Sequence, residues 1–374
     1  MRIANRPQRL GRQDYTAETE RFTSLVSPLP GVVAIATVGS VGTLGYSDLD
    51  YLVVINEDFE PRNSEKLLHR HAERDRRIVL HGPIVCKIED YAELFDHLSL
   101  DEPVLHSGRL PPRSTTNPSN QDSLIERLAN LIDFSEARIS QAAATSKSAT
   151  IDQRHAMTAL WSTTHSFRIA QEAGLGLSDE AEMFVSHLRA DRERWSNGGS
   201  IDDQEFLKLI ETNLSVHEEI LVKALRATAP DALNNKPSDV VVSFTAGSKT
   251  IECSTSRHTL DAFAKVAQFR GRAVPWSTLV RAPIGLAAHL SAYGFEQSLD
   301  SRRKRRPLDW ASSERYIAVM RRRFEFAKRY YGQLADLGLL SANGPYIILP
   351  VSTADWPRRI AAAGHKVAGF GRMH

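Results

Sequence analysis

The sequence predicts a mixed α/β and α+β protein in three parts, and three observations predict it. Short apolar runs alternate with helical patterns over residues 1–110. A proline- and serine-rich stretch at 111–120 then interrupts the chain, and only helical periodicity follows it from 121 to 229. Strand and helix patterns return over 239–374, a C-terminal α+β part of no recognisable type.

In the first part, residues 16–27 read as a helix and Val32–Val38 as a compact β-branched strand. Residues 39–47 hold three glycines and read as a loop. Asp48–Ile55 reads as a second strand, 63–77 as a charged helix, Ile84–Glu89 as a third strand and 90–99 as a short helix. In the second part, Ser123 with Glu126, Thr150 with Gln153, and Ser200 with Asp203 have capping-box spacing. In the third, past a soft boundary at 230–238, Asp239–Phe244 and Lys249–Cys253 flank Thr245-Ala246-Gly247-Ser248 and read as a hairpin. A long helix near 312–337 and a strand near 346–351 complete the reading.

Composition narrows the class. Of 374 residues, 42% are hydrophobic and 25% charged, which is ordinary for a globular chain able to bury a core. A net charge of +2 does not advertise nucleic-acid binding by the whole molecule. Two distant cysteines, Cys86 and Cys253, make no disulfide framework, and a reducing cytoplasm is the expected compartment. The N-terminal residues are arginine-rich without an apolar core, and no run is long enough for a membrane span, so no membrane partner is expected.

The chemistry concentrates in Val38-Gly39-Ser40 and Ser47-Asp48-Leu49-Asp50. Strand alternation points Asp48 and Asp50 the same way and turns Leu49 to the other face. Two adjacent carboxylates repel unless a cation sits between them, and oxygen ligands suit Mg²⁺. Gly39 at a strand end lets backbone approach a phosphate, and the Ser40 hydroxyl and nearby amides are donors for phosphate oxygens. Gly42 and Gly45 keep the loop permissive. The three glycines are spaced three apart, which does not make a dinucleotide fingerprint.

This arrangement resembles the signature of the DNA polymerase β-like nucleotidyltransferase superfamily: an apolar residue, Gly-Ser, a spacer, then Asp-x-Asp entering a strand. The resemblance covers about residues 16–110. It implies that Gly39 and Ser40 grip a triphosphate and that Asp48 and Asp50 bind catalytic Mg²⁺, with Mn²⁺ as the alternative ion. It implies transfer of a nucleoside monophosphate from an NTP, with ATP the first choice, to the hydroxyl of a small-molecule acceptor. The seven-residue spacer between Ser40 and Asp48 is shorter than usual for that superfamily. A third carboxylate is expected on the next strand, where Lys87 and Glu89 share a face; Glu89 is chosen as that third catalytic carboxylate, to ligate metal or act as base. Glu89-Asp90 reads equally well as the cap of the following helix.

Two other readings compete. Residues 301–331 hold eleven Lys and Arg against three acids, with Tyr316, Phe324, Tyr330 and Tyr331 among them. Such a stripe can bind RNA, which would make the acceptor an RNA or tRNA end, although a solvated helix face with core aromatics behind it is the commoner meaning. A catalytically silent nucleotide-binding scaffold is the other alternative.

Overall fold

The computed structural model describes residues 2–39, 41–80, 82–98, 101–113, 123–131, 134–135, 138, 150–228, 241–246 and 249–254, and in the C-terminal stretch 322, 326, 329–330, 333–334 and 336–339. Ser40, most of the 111–120 stretch, the 230–238 boundary, the strand near 346–351 and most of 301–331 lie outside the described residues.

The chain is a mixed α/β protein. Strand β1 (Arg2–Ala4) is followed by helix α1 (Arg12–Val26), which buries Tyr15, Glu18, Phe22 and Val26 as one stripe at helical spacing. Strands β2 (Val32–Val38) and β3 (Asp50–Ile55) pair antiparallel, with Val38 opposite Asp50. Both are nearly continuous runs of buried residues, as expected of central strands covered on both faces. Helix α2 (Pro61–Ala72) crosses over to β4 (Ile84–Lys87), which runs parallel to β3. A 3₁₀ turn (Ile88–Asp90) and α3 (Tyr91–Leu98) then lead to β5 (Val104–Gly108), antiparallel to β2. The resulting order is β4-β3-β2-β5.

The helical part begins with residues 123–131 (α4). The short strand β6 (Thr150–Asp152) pairs in parallel with β1 and so ties the N-terminus to this part. Helices α5 (Gln153–Glu172), α6 (Asp179–Ser196) and α7 (Asp203–Thr228) follow. The Ser178 hydroxyl caps α6 by accepting from Ala181 N. At α7 the Asp202 carboxylate, not Ser200, accepts the first free amides, those of Gln204 and Glu205, because Ser200 lies two residues too early in the chain. Strands β7 (Val241–Ala246) and β8 (Lys249–Ser254) pair as the hairpin read from the sequence. No helix among the described residues is long and apolar enough to cross a membrane.

Two apolar cores result. One surrounds the sheet and includes Phe22, Tyr51, Leu52, Val53, Leu67 and Leu94. The other lies among α4–α7 and includes Leu128, Met157, Phe184, Leu188, Phe206 and Ile220. Distant chain segments complete the sheet core: Phe326, Tyr330, Leu334 and Leu339 pack into it. The Tyr330 hydroxyl donates to Val85 O at 2.8 Å, and Arg329 bridges Asp90 and Glu93 at 2.9 and 2.7 Å. Phe326, Tyr330, Leu334 and Leu339, which the sequence assigns to a separate C-terminal part, therefore share a core with the N-terminal strands.

Candidate active site

The site is built at the end of the sheet where β2 leaves it and β3 enters. Gly39 follows the last residue of β2 and has φ +78°, a left-handed conformation that glycine adopts without strain. A side chain there would begin 3.6 Å from the Asp50 carboxylate, so the glycine and this acid face each other. Asp48 and Asp50 are half-exposed while Leu49 between them is 4% exposed and belongs to the sheet core. Leu49 N donates to Ile78 O at 3.0 Å, which fixes the residue between the two acids. The ladder itself begins at Asp50, two residues later than the sequence suggests.

Glu89 is elsewhere. β4 runs parallel to β3 and Lys87 lies opposite Ile55, five residues up the strand from Asp50. At ~3.3 Å per residue that is roughly 17 Å from the Asp50 level, and Glu89 lies beyond it. Glu89 sits in the 3₁₀ turn, 54% exposed, and pairs with Lys87 at 3.7 Å. The structure does not bring it to Asp48 and Asp50. The strand that does start at their end is β5, whose first residue Val104 is opposite Thr37. Asp101 and Glu102 precede β5 in the chain and so lie toward this end by topology. Asp101 pairs with Arg168 at 3.4 Å and Glu102 with Arg113 at 2.5 Å.

The turn preceding Asp48 is fastened by the helical part. Tyr46 N and Ser47 N both donate to Thr43 O, closing a tight turn whose Gly45 has φ +77°. A side chain on Gly45 would begin 2.0 Å from Gln8 O, so only glycine fits. The Tyr15 hydroxyl donates to Ser47 O at 2.6 Å and accepts from Gly45 N at 2.9 Å. Arg154 of α5 donates to Tyr46 O and, at 2.8 Å, to Ser47 O. Arg192 of α6 donates to the Thr43 hydroxyl at 2.5 Å and to the Ser47 hydroxyl. Trp195 Nε1 donates to Leu44 O at 3.0 Å. Burial pulls the Arg192 guanidinium down to about 10, so it remains charged at neutral pH, and its field reaches Asp48.

No family model matches this chain, and neither does any curated protein.

Among the described residues no group of three or more His, Cys, Asp or Glu is arranged to hold a metal ion. Two half-exposed carboxylates at one strand end are nonetheless what Mg²⁺ takes when substrate phosphates and water fill its remaining positions. Sequence reading missed Arg154 and Arg192, yet a signal existed. Ala181, Phe184, Val185, Leu188 and Trp195 form the buried stripe of α6, and Arg192 lies on that stripe, four residues after Leu188. A cation on an apolar stripe needs a polar partner from elsewhere in the fold.

Proposed function

We propose that this chain is a metal-dependent nucleotidyltransferase that moves a nucleoside monophosphate from an NTP, ATP first, to the hydroxyl of a small-molecule acceptor. One observation carries the reading: Gly39, in a conformation that opens backbone to a ligand, faces Asp50 at a strand end. Asp48 stands two residues away with the same partial exposure. In the reaction the acceptor oxygen bonds to the α-phosphorus as the bond to the departing pyrophosphate breaks, and the hydroxyl proton passes to a base or to water. Bound Mg²⁺ would supply charge neutralisation and Lewis acidity. Asp48 and Asp50 would hold it, and the Gly39–Ser40 backbone would cradle phosphate oxygens. Glu89 is assigned the structural role of its exposed pair with Lys87.

A small-molecule acceptor is favoured over RNA because the basic segment is partly committed elsewhere. Tyr330 is 3% exposed inside the sheet core, and Arg329 is paired with Asp90 and Glu93. Neither is arranged to stack a base or to meet a phosphate.

The test is pyrophosphate release by the full chain with each NTP and Mg²⁺ against metabolite pools. Asp48→Asn and Asp50→Asn should each lower turnover by at least about 100-fold, since each removes a ligand for transition-state charge. Both variants should stay folded, because one of two repelling acids is gone. Mg²⁺–NTP stabilisation without turnover would make the chain a nucleotide-binding scaffold. Neither stabilisation nor turnover would end the reading.

A further inference from the structure

The helical part does more than pack beside the sheet; it reaches into the turn that carries the acids. Arg154 and Arg192 are 3% and 6% exposed, and both aim at residues 43–47. Arg192 is the more specific of the two. Its guanidinium lies 3.7 Å over the Trp161 ring and 5.9 Å from that of Tyr46, which fixes its plane. From that plane it donates to two hydroxyls, Thr43 Oγ1 and Ser47 Oγ, at the two ends of one turn. Ser47 Oγ in turn accepts from Thr43 N at 3.2 Å, closing the ring of contacts. A side chain on Gly42 would begin 2.8 Å from Arg192 Nη2, so the absence of one admits the guanidinium beneath the loop. Burying a cation is costly, and a methionine would fill this slot in the apolar stripe with no such penalty. The fork geometry of arginine, reaching two acceptors at once, is what methionine and lysine lack. Asp48 follows Ser47 directly, so a fixed Ser47 fixes where the acidic pair begins.

We propose that Arg192 is a positioning residue that locks the 43–47 turn, so that Asp48 and Asp50 stay in register at the end of the sheet and the helical part becomes a structural half of the active site. The proposal rests on the nucleotidyltransferase reading for its catalytic consequence but not for the locking itself.

The experiment uses the full chain and two readouts. Backbone amide exchange over 41–50 is compared in wild type, Arg192→Met, Arg192→Lys and Ser47→Ala, with 32–38 as internal reference. Locking predicts about 10-fold faster exchange in the turn for Arg192→Met with the reference strand unchanged, and a smaller rise for Ser47→Ala. Steady-state kinetics should then show kcat lowered about 100-fold with KM for ATP changed far less, because misplacement of the acids acts on the reacting geometry. Arg192→Lys should recover part of kcat. Unchanged exchange in the turn, or an equal rise in the turn and the reference strand, overturns the proposal. If Arg192→Met does not fold, Ser47→Ala decides, since it removes an acceptor and leaves the stripe intact. If the wild type turns over no NTP, the enzymatic reading fails while the exchange data still decide the locking.

Discussion

The sheet core and the helical core solve the burial of polar groups in different ways. Around the sheet, the strands satisfy their backbone by pairing, and the side chains between them are largely apolar: Tyr51, Leu52, Val53, Val54 and Ile55 succeed one another in β3. Among the helices, backbone pairing is internal to each helix, and polar side chains in the core pair with one another across helices. The Thr163 hydroxyl donates to Asn213 Oδ1 at 2.6 Å and lies 3.0 Å from His217 Nε2, with the Ser135 hydroxyl 3.4 Å from the other ring nitrogen. The candidate site lies between the two regimes. Tyr46 belongs to the helical core and Leu49, three residues on, to the sheet core. The acids are thus held by apolar packing on one side and by directed hydrogen bonds on the other, an arrangement that fixes direction as well as position.

The largest test of this contrast is Phe22→Ala. Phe22 is fully buried and stacks on Tyr51 with ring centroids 4.0 Å apart. Its loss should lower unfolding free energy by about 3–5 kcal/mol in urea titrations. Retained stability would show that the sheet core tolerates a void that its packing does not suggest. Next, Gly45→Ala forces a left-handed alanine against Gln8 O and should cost about 2 kcal/mol or more. Gly174→Ala, also at positive φ but in open space, should cost less. Equal effects would mean that the loop moves away from Gln8 without penalty.

The helical core is probed through its polar cluster. Thr163→Val leaves Asn213 and His217 short of a partner and should cost about 1–2 kcal/mol, as for other unsatisfied buried groups. The same cluster predicts a pH dependence. Burial pulls His217 from 6.5 down to about 3, so the ring is neutral in the folded chain. Between those values the unfolded chain binds the extra proton. Stability should therefore be fully present above about pH 6.5 and fall on acidification, by up to ~1.4 kcal/mol per pH unit from this group. His217→Gln should flatten the slope measured between pH 7 and 5; an unaltered slope would assign it to other groups. The smallest effect is expected from Glu89→Gln. The exposed pair with Lys87 should be worth less than about 0.5 kcal/mol, and turnover should be unchanged. A loss of turnover comparable to that of Asp50→Asn would break the assignment of the site to the opposite end of the sheet.

What the sequence determined by itself is local. The β-branched run Val32–Val38 is a strand with the expected bounds, because a run that can be buried on both faces needs no partner to declare itself. Leu49 buried between two half-exposed acids matches the alternation read from the sequence, and the pairing of 241–246 with 249–254 matches its two apolar runs. The edge strand β5, half-exposed and without alternation, gave no such signal. Only the tertiary structure decided which distant groups meet. Whether Glu89 returns to Asp50 depends on the direction of β4, and a parallel crossover carries its C-terminal end away; the apolar run Ile84-Val85-Cys86 reads the same in either direction. That Arg154 and Arg192 reach a turn more than a hundred residues earlier was equally beyond local pattern. It follows from two helices burying one apolar stripe each, and from buried guanidinium groups that must find oxygen atoms wherever the fold brings them within reach.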